Sequence, residues 1–419
     1  MLVPAVTAPV HAGPAAAIAT LDPDVTTAVV LQVAVRPRRA ATIVYPLEMR
    51  ASSLCIVLWL VACDAPSGVP DANGPDASIA RDAASVDHDA HSHDAATLPS
   101  DGGRAIHPGR IVAIDGRQIT VDGVPIELHG VCWNPVARGH RPPADFAGFG
   151  AQDIALMQSL GIDAVRTYDA ISDTATLDRF AAAGIWVLMT VYAYGGDPES
   201  VATDRVAAAM HHPAVLMWLV GNEWNYNGLY TGVAQDEVRA RLDRIAVAIH
   251  ALDPSRPVAT VHGELPSAAT LAAMPHIDAW GLNVYRGITF GDLFDRWAPL
   301  STQPMFVSEY GSDAWDSRGA GMENDAAQAE ATTALTNELL AHSSARSAGG
   351  VTLGGTIFEW SDEWWKDSAG TDDTHDHGGS APGGGPYPDM TFNEEWWGVV
   401  DIDRNLRPAA DALRAIYVR

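Results

Sequence analysis

Residues 212–225 read HPAVLMWLVGNEWN. Seven apolar residues run from Ala214 to Val220, as in a strand buried on both faces, and the chain then delivers Gly221, Asn222, Glu223 and Trp224. A carboxylate at the mouth of a buried strand is costly unless it is paired or used. The stretch therefore asks what surrounds it.

Outward from this run, similar short apolar stretches recur at 128–133, 162–167, 185–191, 257–261, 278–284, 304–309 and 351–360. Between them lie segments with helical spacing. Residues 151–161 set Ile154, Met157 and Leu160 on one face and stop at Gly161, and 172–184 run from a capping Ser172 to Gly184. The clearest amphipathic helices are 236–252 and 324–342, and 406–417 supplies the last. Eight strands alternating with helices predict an α/β chain folded as a (β/α)8 TIM barrel. A doubly wound open sheet is the other arrangement of such a pattern, but no Gly-rich phosphate turn follows the first strand. Upstream, RIVAIDGRQITVDGVPIEL at 110–128 alternates apolar and polar residues about Asp-Gly turns and predicts a β-hairpin ahead of the barrel.

In such a barrel the reacting groups gather at the C-terminal ends of the strands. Those ends read Trp133-Asn134, Arg166-Thr167-Tyr168, Tyr192 with Tyr194, Asn222-Glu223-Trp224, Asn283-Val284-Tyr285, Glu309-Tyr310 and Glu359-Trp360. Glu223 and Glu309 thus face one mouth among aromatic rings and amides. Glycoside hydrolysis needs such a pair, one acid to protonate the leaving oxygen and one carboxylate to attack or to activate water. Aromatic faces suit the C–H faces of a sugar, and Asn, Arg and Tyr suit its hydroxyls. A metal-dependent hydrolase would show several His at the strand ends, whereas His129 and His262 are scattered and read as structural.

GNEW at 221–224 and SEYG at 308–311 resemble the acid/base and nucleophile signatures of the clan A retaining glycoside hydrolases. RTY at 166–168, GLNVY at 281–285, FVSEYG at 306–311 and WWGVV at 396–400 are similar to the family 72 β-1,3-glucanosyltransferases and to the family 2 barrel domain. The resemblance extends over roughly residues 110–419. It implies Glu223 as general acid/base and Glu309 as nucleophile of a retaining reaction through a covalent glycosyl-enzyme. Arg166 is then placed to keep Glu309 ionised, Tyr285 to donate a hydrogen bond to it, and Asn222 to bond the sugar hydroxyl beside the anomeric centre. Tyr168, Asn283, Trp133, Trp224 and Trp360 complete the expected sugar contacts, with packing or loop anchoring as the plainer role for Arg166, Tyr285 and Trp133.

The segment SDEWWKDSAGTDDTHDHGGSAPGGGPYPDMTFNEEWWG at 361–398 exceeds an ordinary βα loop. It is expected to place at least one of Trp364, Trp365, Trp396 and Trp397 in the cleft. Asp372, Asp373, His375, Asp376 and His377 could hold a cation, although a solvated loop is the better reading of so Gly-rich a stretch; no metal and no cofactor are expected.

The chain has 419 residues, a formal charge of -26 and three cysteines, Cys55, Cys63 and Cys132. This acidity excludes nucleic acid as the natural partner, since phosphate binding needs clustered Lys and Arg, and it favours a neutral or cationic substrate. Three cysteines build no disulfide framework. MRASSLCIVLWLVAC at 49–63 has a basic start and an apolar run too short to span a bilayer, and its end resembles the bacterial lipobox, with Cys63 as the lipid-modified residue. The expected organisation is an upstream or mis-started segment at 1–48 with Met49 as the true start, a lipoprotein signal at 49–63, a disordered acidic tether at 64–105 that includes the DHDAHSHD piece, and the barrel with its hairpin at 106–419. The expected function is a retaining β-glycosidase or transglycosidase acting on β-linked glucan-type or other cell-surface carbohydrate, exported and lipid-anchored in the bacterial envelope. The alternative is a carbohydrate-binding lipoprotein with an inactive barrel.

Overall fold

The computed structural model describes residues 105–366, 371–377 and 385–418. Cys63, the signal at 49–63 and nearly all of the tether lie outside the described residues.

The chain enters through a three-stranded antiparallel sheet of β1 (Val112–Asp115), β2 (Gln118–Val121) and β3 (Val124–Ile126). The expected hairpin therefore carries one strand more. Asp122 and Gly123 join β2 to β3 with φ of 53° and 79°, the pair of positive angles that a tight hairpin turn demands. The barrel follows, with β4 (Leu128–Cys132), α1 (Phe146–Ser159), β5 (Ala164–Arg166), α2 (Thr174–Ala183), β6 (Trp186–Tyr192), α3 (Ser200–Ala209) and β7 (Val215–Asn222). After α4 (Trp224–Asn227) and a π-turn at Gly228–Gly232 come α5 (Gln235–Leu252), β8 (Val258–Gly263), α6 (Ala268–Ala272), β9 (Ala279–Asn283), α7 (Leu293–Leu300) and β10 (Met305–Tyr310). A short ribbon of β11 (Trp315–Asp316) and β12 (Met322–Glu323) precedes α8 (Asp325–Ala341), β13 (Thr352–Ile357) and α9 (Pro408–Tyr417). Strands β4 to β10 and β13 close into one parallel barrel in which β13 pairs with both β10 and β4.

All eight apolar runs became strands, with shifted ends. The eighth stops at Ile357, so Phe358, Glu359 and Trp360 follow the strand as irregular chain. Helix α1 starts five residues before the expected position because Asp145 caps it, accepting from the Gly148 amide at 2.8 Å. Helix α2 is capped by Asp173 instead of Ser172; its carboxylate accepts from the amides of Ala175 and Thr176. Among the described residues no helix is long and apolar enough to cross a membrane.

Two apolar layers hold this frame. One lies between strands and helices; the other fills the barrel, where Leu188, Leu216, Leu219, Val261 and Phe306 pack together with Val112, Ile119 and Val121 of the entry sheet. The entry sheet thereby belongs to the inner core, and the strand C-termini are left for the site. Closure depends on β13 approaching its neighbours closely. A Cβ on Gly355 would stand 2.4 Å from the Val307 carbonyl oxygen, and one on Gly130 would stand 2.5 Å from the Thr356 methyl. Gly355→Ala is expected to lower stability by about 1–3 kcal/mol through this backbone collision; urea unfolding of the variant beside the parent chain measures it, and an unchanged midpoint would show that β13 has room to shift.

Candidate active site

Arg166 ends β5 with its side chain completely buried, and a buried guanidinium needs acceptors for its N–H groups. The neighbouring strands supply them. Its Nη1 donates to Glu309 Oε1 at 2.7 Å and to the Ser308 carbonyl at 2.9 Å, both on β10, while Nη2 donates to Asn222 Oδ1 on β7 at 2.6 Å. Asn283 on β9 sits in the same network, its Oδ1 accepting from Ser308 Oγ at 2.7 Å.

Glu309 is 7 % exposed and collects two further donors, Tyr168 Oη on Oε1 at 2.7 Å and Tyr285 Oη on Oε2 at 3.0 Å. One guanidinium and two phenols around one carboxyl group suit an anion with both oxygens held. Burial beside Glu309 pushes both phenols well above the usual tyrosine range, so they remain donors. Tyr285 is in turn wedged edge-on against Trp397 and Phe392, with ring centroids 5.2 and 4.9 Å away.

Glu223 has the opposite surroundings. It follows β7 with a φ of 46°, a left-handed conformation unfavourable for a residue with a Cβ. Gly221 turns just before it with φ of 78°. Half-buried at the cleft, Glu223 has its carboxyl pushed up to about 7, first by loss of water and then by the charge of Glu309, with Asn283 and Arg166 opposing in part. Two carboxyl groups of one cleft thus have different surroundings, Glu309 held by three donors and Glu223 inclined to keep its proton.

The cleft encloses about 1150 Å³. Of the residues expected at the sugar, Tyr168, Asn222, Asn283 and Tyr285 line it beside Glu223 and Glu309, and Arg166 lies beneath its floor. Three expectations are corrected. Trp133, Trp224 and Trp360 do not line the cleft and are at most 1 % exposed. The Trp133 indole turns down between Phe146 and Phe180 to donate to buried Asp153 at 2.9 Å, and Asp153 is paired with Arg404. Trp224 folds back to donate to Thr260 Oγ1 at 2.9 Å, and Trp360 is locked into the backbone pairing with Cys132 and Val400.

Of the four tryptophans in the segment after β13, Trp365 lines the cleft. Trp364 and Trp396 sandwich His375, at 4.8 and 3.4 Å between centroids, and Trp397 supports Tyr285. The acids and histidines of that segment have partners of other kinds: Asp372 binds Arg141 through both oxygens, and His377 packs on Trp315. Asn134, next to Trp133 at the end of the first apolar run, reaches the cleft and donates to Glu363 Oε1 at 2.5 Å.

Several cleft residues were missed by sequence reasoning. Tyr226 and Tyr230 come from the strained turn after β7, where Leu229 and Tyr230 have φ of 56° and 60°; the Gly-x-x-x-Gly spacing at 228–232 was the available signal. Asn222 Nδ2 donates to Tyr230 Oη at 3.0 Å. Glu363, Lys366 and Glu394 also line the cleft, with Lys366 Nζ 3.1 Å from Glu363 and 3.2 Å from Glu394. Nothing periodic marks them.

A family model described as "Glycosyl hydrolases family 2, TIM barrel domain" matches residues 198–334, a span that contains both Glu223 and Glu309. No curated protein matches the chain. Among solved structures, the chain is similar in fold to a family 2 β-galacturonidase from Eisenbergiella tayi (18 % identity, TM-score 0.53, 74 % of this chain and 54 % of that one). It is similar also to the β-glucuronidase of Faecalibacterium prausnitzii (20 %, 0.55, 74 % and 51 %) and to β-glucuronidase 2 of Bacteroides uniformis (17 %, 0.52, 74 % and 37 %). The chain spans about half the length of the first two of these proteins.

The raised Glu223 carboxyl has a consequence for stability. Folding favours its protonated form, so its contribution is full below the unfolded value near 4.5 and is lost as pH rises from there through about 7. Glu223→Gln removes that penalty. The variant is expected to melt above the parent at about pH 8, with the difference shrinking towards pH 5; thermal melts at both pH values read it, and an equal offset at both would dismiss the electrostatic cause.

Proposed function

We propose that this chain is a retaining β-glycosidase or transglycosidase. The observation that carries the proposal is the pair of glutamates in contrasting settings, Glu309 bound by Arg166, Tyr168 and Tyr285, and Glu223 raised to about 7 in the same cleft. The family 2 barrel match over both residues supports it.

Glu309 attacks the anomeric carbon as the bond to the leaving oxygen breaks, and Glu223 gives its proton to that oxygen. The ester of sugar and Glu309 is then opened by water or by another sugar's hydroxyl, whose proton passes to Glu223. Arg166 holds the nucleophile in place, Asn222 and Asn283 offer amides to the sugar, and Tyr194, Tyr226, Tyr230 and Trp365 supply ring faces. β-Linked glucan-type or other cell-surface carbohydrates remain the substrate class read from the sequence, and the names of the structural neighbours add β-uronides to the candidates. A binding protein with an idle barrel would need the rings and amides but not one carboxyl held by three donors beside another pushed up to about 7.

A panel of 2-fluoro β-glycosides is expected to label the protein on the peptide containing Glu309. The parent kcat/KM is expected to fall on the alkaline side with a midpoint of about 7, and Glu223→Gln to cost about 10²–10⁴-fold and abolish that limb. Labelling elsewhere, or a product of inverted anomeric configuration, overturns the proposal.

Export and lipid anchoring through Cys63 are part of the same reading, resting on the apolar run and lipobox-like end at 49–63. In a bacterial host a chain started at Met49 is expected to fractionate with membranes and Cys63→Ala to be released; membrane association that survives the substitution would exclude the anchor.

A further inference from the structure

The charge of the cleft bears on which sugar it takes. Seven lining side chains are carboxylic acids and two, Arg205 and Lys366, are cations. Both cations are already neutralised. Arg205 sits 2.9 Å from Asp169, and Lys366 is held between Glu363 and Glu394. Arg166, under the floor, is bound by Glu309, Asn222 and the Ser308 carbonyl, and Arg286 is paired with Glu264, at 2.9 Å from Nε, and with Asp292. Counting these four cations against the seven acids leaves a formal excess of three carboxyl groups, with Glu223 and Glu363 both pushed up by burial. Buried Glu359 stands behind the lining, its carboxyl pushed well above the usual range by burial and by Glu363.

Such a cavity is a poor host for an anion. A carboxylate entering it meets like charge and, among the described lining residues, no cation without a carboxylate partner, a juxtaposition that disfavours binding. An ammonium group meets surplus carboxylate, Asp197 and Glu394 among the lining groups, next to tyrosine faces that attract cations. Those faces are presented to solvent: Tyr194, Tyr226 and Tyr230 are 49, 64 and 55 % exposed, and the Tyr226 ring lies where a side chain on Gly263 would stand. Exposed rings over an acidic floor are what a sugar bearing a positive charge would occupy.

We infer that the cleft selects β-glycosides whose reacting sugar is an amino sugar, accepts neutral sugars less well and rejects uronides. The inference rests on the glycosidase reading above and assigns its substrate class. It separates this cleft from those of the solved neighbours named as glucuronidases and a galacturonidase.

The test compares kcat/KM for aryl β-glucosaminide, β-glucoside and β-glucuronide at about pH 6, where the sugar amine is protonated. The glucosaminide is expected to lead the glucuronide by about 100-fold or more, and its lead over the glucoside to shrink as salt is raised from about 10 mM to about 0.5 M. Glu394→Gln, which frees one side of Lys366, is expected to narrow the gap by about tenfold. If the glucuronide is the best substrate, or if salt and Glu394→Gln leave the ratios unchanged, the inference falls while the glycosidase reading stands. If no member is cleaved and no 2-fluoro glycoside labels Glu309, the reading falls and takes the inference with it.

Discussion

The buried Arg166 guanidinium is the interaction on which the site depends. It starts on β5 and reaches acceptors on β7 and β10, with the β9 amide of Asn283 at 3.5 Å. Loss of one partner in such a network leaves an uncompensated buried charge, at a cost of about 3–5 kcal/mol. Because that penalty is large against the net stability of a domain, the four strands are constrained to one relative register near the mouth. The position of Glu309, the rotation of the Asn222 amide and, through the next peptide, the placing of Glu223 all follow from satisfying one cation.

Around this centre the aromatic residues divide by reach. Trp133 and Trp224, one and two residues past their strands, are drawn into the packed layer, where their N–H groups find Asp153 or Thr260 and their rings fill volume. Tyr194, Tyr226, Tyr230 and Trp365, carried by loops, line the opening.

The barrel was legible because buried parallel strands are continuous apolar runs, and the runs at 128–133 to 351–360 were counted correctly. The glutamate pair was legible because a carboxylate after such a run stands out. Helices α3, α6 and α7 were not legible, being short and rich in small residues or holding an internal proline, as at Pro299. Trp133, Trp224 and Trp360 were misplaced because sequence tells which strand end a residue occupies but not whether its ring turns inward or outward. The Glu363, Lys366 and Glu394 cluster was invisible for a different reason: it is assembled by the irregular segment after β13, where no repeat links position to direction.

The pairing of β13 with β4 joins residues more than two hundred positions apart. Until residue 357 has left the ribosome, β4 and β10 are the two bare edges of an open, curved sheet, each presenting unpaired amides and carbonyls to whatever is near. Folding of this chain is therefore late and non-local. A nascent molecule spends most of its synthesis as a sheet in need of a last strand, a state that suits handling by a holding factor and penalises crowding with its own copies.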